Sequence, residues 1–384
     1  MASSASRSSA SWRSQSASPF PGPIAPRAAA HDPTTRPEDS VTHRSRLVAL
    51  AGALALVPAV LTGCGGDSAS TAASTGPTAG GTPEKVSLVL DWFPNADHAG
   101  IAVAQEEGLD AKAGADIATS VPSDPTTTLT AVAAGKKDLG ITYAPELLIA
   151  RAKGVPVKAV GAIAQVPLNS IIARSDRGIT RPRDLEGKVV GIAGVPSDRA
   201  LLDTVVAADG GDPAKVQTKV VGYSLAPSLA AGKVDAVIGA YWNIEGPDLR
   251  MKDVPIEIMR IDDHGVPRYD ELVVVASQDA IRDRPAAIRA ALAGIAAGTE
   301  AAAKDLGGAV MALEKANPDI AKAVLPAQVS DTIPALLPEG SAPLHMDAAQ
   351  WDALAAWMKE KGLVKGDVSG SGAIDTSLLP EGSR

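Results

Sequence analysis

Val86-Ser87-Leu88-Val89-Leu90-Asp91-Trp92-Phe93-Pro94-Asn95-Ala96-Asp97-His98-Ala99-Gly100 joins an apolar, β-branched run to an alanine-rich stretch through a polar and aromatic turn. Residues 86–92 have the length and composition of a buried strand, and 99–107 those of a helix. The same alternation continues downstream, with strand runs at 115–121, 139–144 and 157–165 and helices at 126–134 and 145–152 between them. Asp124-Pro125 offers an N-cap and a first-turn proline to the second helix, and Gly135 and Gly154 stop the second and third. Short strands alternating with helices indicate α/β architecture, with parallel sheets covered on both faces.

A second run follows Ser175-Asp176-Arg177-Gly178, with strands at 189–193, 216–221, 234–240 and 256–261 and helices near 198–208 and 225–231. A strand at 271–277 then leads into a long helix over 284–303, with further helices near 319–324 and 348–361. If the last third packs back on the first, the chain crosses twice between two lobes, near 174–178 and 262–270. Lobe 1 is then 85–175 plus 268–384, and lobe 2 is 176–267. Two α/β lobes with two crossovers leave a cleft in which hinge closure buries a small ligand.

Upstream, His43-Arg44-Ser45-Arg46 precedes an uncharged apolar run over 47–61, and Leu61-Thr62-Gly63-Cys64 closes it with the only cysteine among 384 residues. That run has signal-peptide length and is too short to span a bilayer comfortably. Its ending resembles the bacterial lipobox, so 41–63 reads as a lipoprotein signal peptide and Cys64 as the lipidation site. The chain is then expected on the extracytoplasmic face of the cell membrane, held by acyl chains that each contribute about 0.8 kcal/mol per buried methylene. A buried core cysteine after an ordinary helix is the alternative. Residues 1–40, rich in Ser, Ala, Pro and Arg, read as an untranslated or disordered extension, with Val41 a candidate start, and 64–84 as a flexible linker.

Residues 1–63 carry six Lys/Arg and three Asp/Glu, so the net charge of −8 leaves −11 for the remainder. An acidic domain argues against nucleic acid as a partner. With its cysteine assigned to lipid, the domain has neither a disulfide nor a thiolate metal site. Phosphate-loop, zinc-helix and nucleophile-elbow motifs are all missing, and His98, His264 and His345 are too dispersed in sequence to propose a metal site.

Nine aromatic residues follow Cys64, and six sit at strand ends or adjoining loops: Trp92, Phe93, Tyr143, Tyr223, Tyr241 and Trp242. In a core of Ala, Val, Ile and Leu this placement points to stacking on a flat ligand, the alternative being the filling of a domain interface.

Four stretches together resemble the thiamine-pyrimidine-precursor family of periplasmic binding proteins, related to the fungal thiamine pyrimidine synthases. They are Leu90 to Gly100 of the opening segment, Ala134-Gly135-Lys136-Lys137-Asp138-Leu139-Gly140-Ile141-Thr142-Tyr143, Pro167-Leu168-Asn169-Ser170, and Gly239-Ala240-Tyr241-Trp242-Asn243-Ile244-Glu245-Gly246. The resemblance implies a type II periplasmic-binding-protein fold and a monomer that delivers its ligand to an ABC permease and its ATPase. It also implies a thiamine pyrimidine precursor of aminomethylpyrimidine type as ligand, with sulfonate, nitrate or another heterocycle such as riboflavin in neighbouring branches. No cofactor or metal is expected.

The residues favour an aminopyrimidine over an anion. Asp91, Glu146 and Glu245 are carboxylates in or beside the strand-end motifs, and a carboxylate accepts from an exocyclic amine. Glu245 is the best candidate for reading the ring edge, its alternative being a helix-terminus charge. Ser197, with Arg199, stands at a helix start suited to a phosphate or formyl group. Asn95, Asn169 and Ser170 fall within the motifs facing the expected cleft, where an amide fixes a ligand or caps a turn. His98 lines the cleft or caps the first helix. An enzyme of the synthase kind is the rival, but that chemistry needs a lysine for an aldehyde, and none occurs between Val86 and Ala111.

Overall fold

The computed structural model describes residues 82–384. The extension 1–40, the apolar segment 41–63, Cys64 and linker residues 64–81 lie outside the described residues. Along the chain come β1 (Glu84–Val89), α1 (Ala99–Glu106), α2 (Leu109–Ala113), β2 (Ala115–Ser120), α3 (Thr128–Ala133), β3 (Leu139–Tyr143), α4 (Ala144–Ala152) and β4 (Val157–Ala164). A second set follows: β5 (Asn169–Arg174), β6 (Val189–Ile192), α5 (Asp198–Ala208), β7 (Gln217–Val220), α6 (Leu225–Ala230), β8 (Ala236–Tyr241), α7 (Glu245–Met251) and β9 (Ile256–Arg260). The last third holds β10 (Leu272–Ser277), α8 (Gln278–Asp283), α9 (Pro285–Lys304), α10 (Leu306–Ala316), α11 (Leu325–Leu336) and α12 (Ala348–Glu360).

Two five-stranded sheets result, ordered β2-β1-β3-β10-β4 and β7-β6-β8-β5-β9. Both are mixed rather than parallel throughout. β1 pairs in parallel with β2 and β3, whereas β10 runs antiparallel to β3 and β4. β5 likewise runs antiparallel to β8 and β9. The cause is the crossing itself: a chain leaving one sheet at its cleft edge enters the other from the cleft, against the direction of the strands that end there. The first crossing occupies 165–168, upstream of the expected 174–178, because β5 pairs in the second sheet. The second passes through 261–271.

β10, Leu-Val-Val-Val-Ala-Ser, is buried at every position, as a strand sandwiched between helices must be. Helix α1 lies against α9 at backbone distance: a Cβ on Gly298 would overlap the carbonyl of Gly100 and stand 2.8 Å from the Ala104 Cβ. Two local expectations change, and one helix is added. Asp124 accepts from the Thr126 N–H at 2.9 Å within a turn, so α3 starts only at Thr128. Residues 319–324 form turns, and the helix starts beyond them, where Pro326 sits in the first turn of α11. Helix α10 forms despite Gly307-Gly308, because the Asp305 carboxylate caps the Gly308 N–H at 2.9 Å.

Candidate functional site

The carboxyl ends of β1, β3 and β8, with the start of β5 and the Tyr269 to Glu271 segment before β10, surround two narrow adjoining cavities that enclose about 360 and 280 Å³ of space when open solvent is included. Trp92, Tyr143, Tyr241 and Gly239 line both. Asp91, Asn95, Ile244 and Glu245 complete the smaller one, and Asn169, Ser197, Asp198, Tyr269 and Glu271 belong to the larger.

Asp91 is held by two donors. The Asn95 backbone N–H donates to His98 Nδ1 at 3.2 Å, so the ring proton resides on Nε2, which meets Asp91 Oδ1 at 3.0 Å. Tyr143 Oη donates to Asp91 Oδ2 at 3.2 Å. Desolvation, with Asp91 and Glu271 nearby, pushes the Tyr143 phenol well above its usual range and keeps it a neutral donor. His98 is therefore a positioning residue behind the cavity wall.

Gly239 is the extra residue of a β-bulge opposite Ser170/Ile171, with φ +86°. The bulge aims its N–H at Asn169 Oδ1 at 3.0 Å, which leaves the Asn169 amide nitrogen for the cavity. Glu245 opens α7 and accepts from the Tyr241 N–H at 2.7 Å; removal from water, offset by that bond, pushes it up to about 7. Glu271 takes three donors on Oε2, from Leu168 and Asn169 N–H at 3.0 Å each and Tyr269 Oη at 2.9 Å, and burial raises it to about 7.

Five expected ligand residues stand elsewhere. Ser170 follows Asn169 on β5 and so faces the opposite side, its hydroxyl donating to the Leu168 carbonyl at 3.2 Å. Trp242 is turned away from Tyr241 in the same manner: Arg260 lies over its ring at 4.9 Å, and its Nε1 donates to Pro167 O at 3.3 Å. Tyr223 clasps the first lobe, edge-on to Trp92 with centroids 4.3 Å apart and donating to Pro122 O at 3.2 Å. Glu146 accepts from the Ser197 N–H at 2.9 Å and borders a neighbouring groove with Thr142, Lys153 and Pro196. His98 is the fifth. Arg199 also points outward, donating to the carbonyls of Val216 at 3.0 Å and Pro213 at 2.8 Å.

Asp198, Tyr269 and Glu271 were not singled out from sequence. An aspartate at a helix start reads as a macrodipole charge, and a carboxylate before an apolar strand reads as a solvated strand end. Asp198 accepts from the N–H groups of Gly194 and Val195 at 2.7 and 3.0 Å, and burial lifts it to about 7. The N–H groups of Gly194, Val195 and Ser197, just ahead of α5, are thus occupied by two carboxylates, Asp198 and Glu146. Neither cavity is lined by a lysine or arginine.

A family model described as NMT1/THI5 like matches residues 95–306, more than half of the chain. The chain belongs to the NMT1/THI5-like family. Among relatives of this NMT1/THI5-like protein, the formylaminopyrimidine-binding protein of Halalkalibacterium halodurans is 37% identical over 195 residues, 51% of this chain and 59% of that protein. The chain thus spans less than two thirds of that relative. A Haemophilus influenzae protein named for thiamine biosynthesis is 33% identical over 282 residues, 73% of this chain and 88% of that one. A 4-amino-5-hydroxymethyl-2-methylpyrimidine phosphate synthase of Uromyces fabae is 28% identical over 229 residues, 57% of this chain and 67% of that one. In fold, the chain is similar to the alkanesulfonate-binding protein SsuA of Xanthomonas axonopodis pv. citri solved with MOPS, with a TM-score of 0.60 at 18% identity over 77% of this chain and 99% of that one. The NMT1/THI5-like chain therefore has the periplasmic-binding-protein fold.

Proposed function

We propose that this protein is an extracytoplasmic solute-binding protein that holds a planar, amino-bearing heterocycle of pyrimidine type between its lobes and passes it to an ABC permease. The observation that carries the reading is the make-up of the cleft: Trp92, Tyr143 and Tyr241 beside Asp91, Asp198, Glu245 and Glu271, with no cation in the lining. Flat rings stack on the aromatics and ring amines donate to the carboxylates. A sulfonate or nitrate would favour free N–H groups or a cation, and the N–H groups of Gly194, Val195 and Ser197 ahead of α5 are already taken by carboxylates. The relatives named for formylaminopyrimidine binding and thiamine biosynthesis support the pyrimidine class. The synthase relatives favour an enzyme, but no lysine lines either cavity to hold an aldehyde, so binding without turnover is the reading we adopt.

Mass spectrometry of small molecules released from the purified, unfolded protein, with a thermal-shift panel of pyrimidines, riboflavin, sulfonates and nitrate, tests this. An aminopyrimidine at a hundred times its Kd should stabilise the fold by about 2.7 kcal/mol. Stabilisation by sulfonate or nitrate and by no pyrimidine would refute it, and bound pyridoxal phosphate would favour the enzyme. The lipid anchor at Cys64 is tested by fractionation: Cys64→Ser should leave the membrane fraction or remain as an uncleaved precursor.

A further inference from the structure

Asp97 stands just before α1 in the first lobe and Asn243 just after β8 in the second, and they meet across the lobe boundary without lining either cavity. Asn243 Nδ2 donates to Asp97 Oδ1 at 2.7 Å and to Thr332 Oγ1 of α11 at 2.7 Å. The contact is shut off from water, with Asp97 1% exposed and Asn243 fully buried. Among the described residues, Asp97 Oδ2 and Asn243 Oδ1 have no hydrogen-bond partner. Each of the two groups that share this bond thus holds an acceptor without a donor. A charged Asp97 leaves a bare carboxylate oxygen in a dry interface, and a proton on that group removes the charge and its cost.

We propose that Asp97 and Asn243 form a proton-dependent latch between the lobes: closure takes up a proton at Asp97, and loss of that proton lets the lobes part. The latch lies outside the cavities, so it goes beyond the pyrimidine reading and acts on the closed arrangement whatever the cleft holds.

Burial pushes Asp97 up to about 7; the neighbouring charges of Asp91 and Glu271 add to the rise, and His98 and the Asn243 bond oppose it. Glu245 and Tyr241 of the second lobe also interact with it. The turn that carries Asp97 packs against α1, α10, α11 and β4. α11 brings the neutral Thr332 to the contact, and its Asp331 is exposed. The charges on the other three are engaged elsewhere: Glu106 pairs with Lys315, Glu314 with Lys322, and Lys158 donates to Ile374 O. Parting the lobes withdraws Asn243 and admits water, which returns Asp97 toward the ordinary carboxylate range. The closed form therefore holds the proton more tightly than the open one. Its advantage is complete below that range and falls by up to about tenfold per pH unit until pH passes about 7.

Small-angle scattering on the ligand-free full chain at pH 5 and pH 8 reads the lobe arrangement. The wild type should be compact at pH 5 and larger at pH 8. Asp97→Asn supplies a neutral group of the same shape at every pH, so it should match the wild type at pH 5 and stay more compact than the wild type at pH 8. A wild-type radius that does not grow between the two, or an equal expansion of Asp97→Asn, would overturn the latch. Because no ligand is present, either result leaves the pyrimidine reading standing, and the thermal-shift panel tests that reading by itself. Should Asp97→Asn fail to fold, Asn243→Ala decides. It opens Asp97 to water, so its radius at pH 5 should already approach that of the wild type at pH 8, and an expansion equal to the wild type's would overturn the proposal.

Discussion

Glu245 spends one oxygen on its own turn, accepting from the Tyr241 N–H, while its side chain lines the smaller cavity. Glu245→Gln retains an acceptor for Tyr241 and presents an amide N–H donor where a carboxylate oxygen stood. For an aminopyrimidine the change should cost about 2–4 kcal/mol, or roughly thirty- to a thousandfold in affinity by calorimetry. A loss below about threefold would leave Glu245 as a helix-terminus charge alone. Five carboxylates, the buried Asp97, Asp198, Asp270 and Glu271 and the half-buried Glu245, are each lifted to about 7, chiefly by desolvation. Between the ordinary carboxylate range and pH 7 the folded chain keeps protons that the unfolded chain releases. Stability from these groups is present at low pH and lost as pH rises through about 7. The melting temperature of the ligand-free protein should therefore decline from pH 5 to pH 8, and a flat or rising profile would contradict these burials. Residue identity made Asp91, Trp92, Asn95, Tyr143, Tyr241 and Glu245 legible as cavity candidates, because each lies at or just past a strand end. Ser170 and Trp242 were misplaced by one step of strand alternation, which sequence does not phase at a strand terminus or bulge.

Helix α1 meets α9 through Gly100 and Gly298, so this contact is set by missing side chains rather than by apolar ones. Gly298→Ala places a methyl against the backbone of α1, which must retreat; a destabilisation of about 1–3 kcal/mol is expected. Denaturant unfolding that shows stabilisation instead would mean the helices separate without loss. Apolar periodicity and length made most strands and the long α9 readable. The start of α11 and the whole of α10 were not, because a proline and a capping aspartate set them against a glycine pair and a turn. β5 was read only as a cleft-facing motif at Asn169 and Ser170, since nothing local tells a strand which sheet it will join.

The two lobes touch through a small set of polar and aromatic contacts. Asn243 Nδ2 of the second lobe donates to Asp97 Oδ1 and Thr332 Oγ1 of the first at 2.7 Å each, and Gln328 Nε2 donates to Ile244 O at 2.8 Å. Glu146 with Ser197, and Tyr223 with Trp92 and Pro122, add contacts nearer the cleft. A ligand gripped by residues of both lobes binds the closed arrangement preferentially and shifts the population toward it. Small-angle scattering should thus show compaction on saturation, and unchanged radii with a ligand of proven affinity would confine the site to one lobe. Two lobes and two crossings could be read from the order of elements, whereas the antiparallel β5 and β10 follow from where the chain enters each sheet, a property of the assembled molecule. The most direct measurement is a paired calorimetric titration of the protein with an aminopyrimidine and an alkanesulfonate in one buffer. Saturable heat with the pyrimidine and none with the sulfonate is the predicted result; saturable sulfonate binding without pyrimidine binding would contradict it.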